Sequence, residues 1–447
     1  MRIFLANPNL YSYGGHDFGY LDCLRQPLTS AGHEVRVLGC QRMNPDLGSR
    51  EGVLPAFSVP LPQAALEVYG TELVQQKTYY TMVTELFRTV PDSAEARDVR
   101  DFALRRYADW YAAWVVDATM KDLDRIDAEY SLAASDLFLF DHLHQEHIAA
   151  LAEWAAYRLR RMDRSRIPSF AIVLHPALPG NDQGPPVRQA YADAFALIGE
   201  AGLVDRFHVF ADTDRLAADY SALAGIPVAT LPIPHAAPHV AVAERPDGGR
   251  PTIAFVGVSH RGHGFDLLPH VVERFSGLVA AGGLRFEIQA QVGASPHPSV
   301  TEALAALRRM PVTLHEGQLS AEAFYGIIAR ADICLLPYMG AWFRSQSSGV
   351  FAEVLAFGKV PIVSAGTWMA DIVQRHDVGV VFPPSSLEDF YAAIERALAD
   401  LDALGRRCRD FAEDWRRINS PQNYLDVLGR RIGGTSLRDP AFAMGPP

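Results

Sequence analysis

The segment from Ser347 to Trp368, SSGVFAEVLAFGKVPIVSAGTW, sets one carboxylate, Glu353, inside an otherwise apolar run. Gly349 to Phe357 has the length and apolar content of a short buried helix, Gly358 stands where a helix C′ residue belongs, and VPIV reads as an interior strand. A buried acid needs hydrogen-bond partners, so Glu353 either binds a neighbouring loop or meets a ligand. At helical spacing Gly349, Ala352, Glu353 and Ala356 share one side, and such small residues would let another molecule approach the carboxylate. Val350, Phe351, Val354 and Leu355 supply the side that packs.

Three other constellations carry reactive groups. DHLHQEH offers Asp141, His142, His144, Glu146 and His147, but its spacing is neither H-E-x-x-H nor an established zinc pattern, so no metal is assigned to it. His144 reads either as a helix-start histidine bonded to backbone or as a residue facing a ligand. Asp212-Thr213-Asp214 follows FHVFA as a helix cap would. Gly14 and Gly15 follow the first strand, where a turn that admits a ligand needs residues without Cβ, though plain turn glycines would look the same; His16 comes next. Of 41 basic residues only Lys77, Lys121 and Lys359 are lysines, so anion recognition falls to arginine and its bidentate fork.

The elements that must position these groups alternate in type. RIFLAN, HEVRVLG, DLFLF, SFAIVLH and FHVFA read as strands of a parallel α/β domain over residues 1–234, with a helical insertion at about 62–134. Residues 235–250 are rich in Pro, Ala and Gly and read as a linker. TIAFVG, LRFEIQAQVG, VTLHEG, ADICLLPY and VPIVS then start a second α/β domain over 251–413. Residues 414–435 read as a terminal helix whose Trp415, Ile418, Tyr424, Leu425 and Leu428 need a surface to cover, and which would cross back to the first domain; 436–447 is a tail.

A chain of 447 residues exceeds one ordinary core, and half hydrophobic with a fifth charged is normal globular composition. The net charge of −11 argues against general affinity for nucleic acid or anionic lipid and leaves room for a local basic pocket and at most peripheral membrane contact. Cys23, Cys40, Cys334 and Cys408 lack C-x-x-C spacing, which suits scattered thiols in a reducing compartment, so a cytoplasmic location is expected. No apolar run reaches the roughly 18 residues of a membrane span.

The order YGGHDFGYLDCLRQPLTSAGHEVRVLG, DLFLFDHLHQEH and FAFGKVPIV resembles the glycosyltransferases of GT-B fold, and specifically the large retaining family 4, over most of the chain outside roughly residues 55–134. The resemblance implies two Rossmann-like domains facing a central cleft, and transfer of a sugar from a UDP- or GDP-sugar to a carbohydrate, lipid-linked or small-molecule hydroxyl, with retention and no required cofactor or metal. A diphosphate gains charge as it leaves, so it needs a helix N-terminus and arginines. By that resemblance Ser347, Ser348 and Gly349 with Arg344 would fill that role, Glu353 would hold ribose, Gly14 and Gly15 would shape the donor pocket, and His144 and His16 would lie on the acceptor side. The family's first glutamate falls on Ser345, and in FVGVSHRGHG, after Gly257, its Arg and Lys fall on Val258 and His263; Arg261, His263 or Arg344 would substitute. An inverting transferase with His16 as base, a GT-B nucleotide-sugar epimerase and a non-catalytic GT-B binding protein are the rivals. A pyridoxal-phosphate phosphorylase would have only Lys359 to use in the second domain.

Overall fold

The computed structural model describes residues 1–13, 17–59, 94–176, 178, 185–234, 249–293, 296–434 and 436–438. By its contacts the chain divides into two compact units. One comprises Met1–Ala211, Ala217–Thr230 and Leu425–Pro447; the other comprises Asp212–Leu216 and Leu231–Tyr424.

The first unit is built on a seven-stranded parallel sheet in the order β3-β2-β1-β4-β5-β6-β7. Its strands are β1 (Arg2–Ala6), β2 (Glu34–Cys40), β3 (Val53–Phe57), β4 (Leu137–Asp141), β5 (Ser169–Leu174), β6 (Phe207–Ala211) and β7 (Ala229–Thr230). Central strands buried on both faces need unbroken apolar runs, and β4 (LFLFD) is buried along its whole length. Phe138 stacks on Phe4 at 4.5 Å, and Phe170 stacks on Phe207 at 4.8 Å. β3 and β7 are short edge strands that the sequence reading passed over.

The expected helical insertion is described only from residue 94 onward. There it is one 37-residue helix, Ala94–Tyr130, ending before Ser131 at φ 51°. Residues 60–93, the rest of that insertion, lie outside the described residues. The helix is tied to its neighbour Gln145–Arg161 by Trp154 Nε1 donating to Asp124 at 2.9 Å and by the Arg158–Asp127 ion pair. Most of the linker, 235–248, is likewise outside the described residues.

The second unit carries a six-stranded parallel sheet, order β10-β9-β8-β11-β12-β13. Its strands are β8 (Thr252–Phe255), β9 (Arg285–Ala290), β10 (Thr313–Glu316), β11 (Ile333–Leu336), β12 (Val360–Ser364) and β13 (Val380–Phe382). Each sheet reverses its strand order once, between β1 and β4 and between β8 and β11. Those reversals leave a crevice at the carboxyl ends of the strands, where α/β sheets bind ligands.

The end of the chain differs from expectation in where it turns back. Helix Leu401–Ile418 groups with the second unit, and only residues from Leu425 onward group with the first. The reason is Trp415, which buries its indole against Phe351 of the Gly349–Ala356 helix and donates Nε1 to Ala352 O at 3.0 Å. Ile418, expected to be covered, is 45% exposed, whereas Leu425 and Leu428 are fully buried. Among the described residues no helix is long and apolar enough to cross a membrane.

Candidate active site

At the reversal of the second sheet the helix Gly349–Ala356 begins, capped by Ser348, whose hydroxyl accepts from the N–H of Phe351 at 3.2 Å. The helix closes at Phe357, and Gly358 follows at φ 64°, where an added Cβ would stand 3.0 Å from Arg409 Cα. Among the described residues no acceptor meets the N–H of Gly349 or of Val350. Those two donors, with the positive end of the helix dipole, have the polarity that suits an anion.

The two serines assigned to diphosphate are otherwise engaged. Ser348 Oγ is the helix cap, taken up by the N–H of Phe351. The Ser347 hydroxyl donates to the Asp212 carboxylate. Their contribution to an anion is therefore the backbone that follows them, not their side chains. The loop before the helix is braced further: Thr213 Oγ1 donates to Ser345 O at 2.5 Å and caps its own helix by accepting from Leu216 N–H at 3.0 Å. Arg215 donates to Arg344 O at 3.0 Å and pairs with Asp371 at 2.6 Å. Asp212-Thr213-Asp214 is thus a helix cap, as read, but one whose first two side chains also fix the Arg344–Ser347 loop. Nothing in the spacing announced that long-range role.

Glu353 lies one turn into the helix, on the side of Gly349, and is only 3% exposed. All residues from Val350 to Ala356 are buried. The expected open, small-residue side therefore does not exist along the whole helix; Ala352 and Ala356 are covered, with Trp415 and Arg416 donating to their carbonyls at 3.0 and 2.6 Å.

Opposite this helix start is the turn after β8. Gly257 has φ 104°, and a Cβ there would meet Val350 Cγ2 at 3.0 Å, so only glycine lets the turn lie against the helix. His263 makes a poor substitute for the family's cationic residue. Burial lowers its pKa, its ring stacks on Tyr338 at 4.4 Å, and its Nδ1 lies 2.8 Å from Val258 O. A neutral ring donating through Nδ1 has only an acceptor left at Nε2, the wrong polarity for phosphate. Arg261 is exposed, with its nearest carboxylate, Asp266, at 4.0 Å. It borders a cavity of about 440 Å³ at the same strand ends, also lined by Asp266, Tyr338, Ser364, Ser385 and Phe390. Arg344 is exposed on its loop. Lys359 is buried at the amino end of β12, donating to Ala329 O at 2.7 Å, which removes it from the ligand end of the sheet.

In the first unit, β4 and β5 end in a polar cluster of which only part is legible as a local motif. His175 Nε2 lies 2.7 Å from Asp141 Oδ1. The His142 ring is 5.4 Å from that of His175 and 5.9 Å from that of His144. His144 starts the helix Gln145–Arg161 without a side-chain cap bond, so the backbone-bonded alternative does not hold. Burial and the nearby His142 and His147 lower its pKa to about 3. His175 was missed because its partner is 34 residues away in sequence and adjacent only through the β4–β5 pairing. Gly14, Gly15 and His16 lie outside the described residues. Among the described residues no group of three or more His, Cys, Asp or Glu is arranged to hold a metal ion.

Residues 250–400 match the model of the family Glycosyl transferases group 1. No curated protein matches the chain by sequence. Among solved structures it is similar to sucrose-phosphate synthase from Thermosynechococcus elongatus, at 14% identity and TM-score 0.59, covering 96% of this chain and 97% of that one. It is also similar to the trehalose-6-phosphate structure from E. coli bound with UDP-2-fluoro glucose, at 13% identity, TM-score 0.58 and 97% and 99% coverage. The UDP-forming alpha,alpha-trehalose-phosphate synthase from Burkholderia vietnamiensis gives 15% identity, TM-score 0.57 and 96% and 99% coverage. The two parallel sheets and the family match at the second of them agree: residues 250–400 are a glycosyl transferases group 1 domain, in a chain that has the GT-B fold with two Rossmann-like halves.

Proposed function

We propose that the chain is an enzyme that moves a sugar from a nucleotide diphosphate sugar to a hydroxyl acceptor with retention of configuration. The observation that carries this reading is the pair of N–H groups at Gly349 and Val350, which lack an acceptor among the described residues, set at the sheet reversal one turn from Glu353. The diphosphate takes these two donors, with Arg344 or Arg261 as the cation, and the ribose hydroxyls donate to Glu353. Charge that grows on the leaving diphosphate is then met by fixed donors and a helix dipole, which is where electrostatic catalysis is largest. In a retaining front-side reaction the leaving phosphate accepts the acceptor's proton, so no protein base is required. The neighbours bound to a UDP-sugar or named as UDP-forming support UDP as the nucleotide, and those named as sugar-phosphate synthases support a sugar or sugar phosphate as acceptor.

One observation favours inversion instead: the His175–Asp141 pair has the geometry of an oriented base at the ligand end of the first sheet. Titrating the chain with UDP, GDP and ADP tests the common part of both readings. Glu353→Ala is expected to weaken the preferred nucleotide by about 1.5 to 3 kcal/mol. Unchanged affinity in a folded variant removes Glu353 from the site, and the anomer of the product, read by NMR, separates retention from inversion.

A further inference from the structure

Gln289 is a polar residue in an interior strand, only 2% exposed, and both N–H groups and the oxygen of its amide bond to strand-end loops. Oε1 accepts from Gly257 N–H at 2.9 Å, in the turn after β8. Nε2 donates to Gln291 Oε1 at 3.2 Å, just past β9, and to Gly317 O at 3.3 Å, just past β10. The amide can point only one way, because an N–H must face oxygen and a carbonyl must face N–H. The neighbouring Ser259 N–H and hydroxyl go to the same strand end, to Gln291 O at 2.8 Å and Gln289 O at 3.4 Å. The turn from Gly257 to Ser259 is therefore held from β9, and it is this turn that lies against Val350 at the start of the site helix.

Resting on the reading of this site as a diphosphate site, we infer that Gln289 is its positioning residue: it sets the separation between the β8 turn and the N–H groups of Gly349 and Val350, and so the tightness of the diphosphate grip. Gln289 touches no substrate. Its effect reaches the ligand through Gly257, and it concerns the diphosphate rather than the nucleoside.

The test compares UDP with uridine on the unmodified chain and on Gln289→Met, which keeps the length of the side chain and removes all three bonds. UDP affinity is expected to fall about tenfold, the scale of one well-placed hydrogen bond, with uridine binding unchanged and KM for the donor rising more than kcat falls. Equal loss for UDP and uridine, or no loss for either, overturns the inference. Should Gln289→Met not fold, Gln291→Ala, which removes only one of the three bonds, is expected to weaken UDP alone by about threefold, and unchanged UDP binding there overturns it equally. If the unmodified chain binds no nucleoside diphosphate, the site reading itself falls and takes this inference with it; if it binds and the variants match it, only the inference falls.

Discussion

At the scale of single residues, the chemistry divides by what burial does to each side chain. Neutral histidines dominate: His263 has its pKa lowered by burial, and His144 and His147 are lowered to about 3 and about 4. His147 is 1% exposed, with Nδ1 lacking a partner among the described residues and Nε2 3.5 Å from Val59 O. Below the ordinary histidine pKa of about 6.5 the unfolded chain takes up a proton that the folded chain refuses until about pH 4, so stability is present above 6.5 and is lost as pH falls toward 4. His147→Leu is expected to flatten this acid limb by up to about 3 kcal/mol in urea unfolding measured from pH 7 to pH 4. An unchanged pH slope would show that His147 is not held neutral. Glu353 was legible as a candidate because a lone acid breaks an apolar helix; that its neighbours Ala352 and Ala356 are covered was not, since the covering residues Trp415 and Arg416 are some 60 positions away.

At the scale of elements, the site helix is short and depends on others. It has eight residues, too few to be stable alone, and Trp415 supplies both an aromatic contact to Phe351 at 6.3 Å and the bond to Ala352 O. Trp415→Ala removes a large buried side chain and is expected to cost about 3 to 5 kcal/mol of stability. Because the cavity opens beneath the site helix, UDP affinity falls in the same variant, read by calorimetry well below its unfolding temperature. Loss of stability with unaltered UDP binding would separate the brace from the site. The strands of both sheets were visible in the sequence as apolar runs, since strands buried on both faces admit little else. β3, β7 and β13 escaped because edge strands of five, two and three residues carry too short a pattern.

At the scale of the whole molecule, the last residues serve the first unit. Leu437 is 1% exposed and its carbonyl lies 2.6 Å from His33 Nε2, while Arg438 holds Asp426 with Nη2 at 2.6 Å. Ending the chain at Gly433 is expected to lower the unfolding temperature of the first unit while leaving UDP affinity within about twofold, because distant independent sites act additively. Ending it at Asp400 takes away Trp415 and should abolish UDP binding; retention of binding there would contradict the role given to helix Leu401–Ile418.

The sequence by itself determined the α/β class, the two-part organisation, the position of the site helix and its carboxylate. These are local properties: an apolar run, a cap, a glycine and the period of a helix are written within about ten residues of one another. The tertiary structure alone decided which donors face a ligand. Ser347 and Ser348 were indistinguishable in sequence from phosphate-binding serines until Ser347 was seen to donate to Asp212 and Ser348 to cap its own helix at Phe351. His263 stood where a cation was wanted until burial was seen to lower its pKa and Val258 O to engage its Nδ1. Gln289 and the His175–Asp141 pair emerged only from strand register. A hydrogen bond is satisfied once, and its partner is chosen by the fold's long-range contacts, which no local pattern encodes.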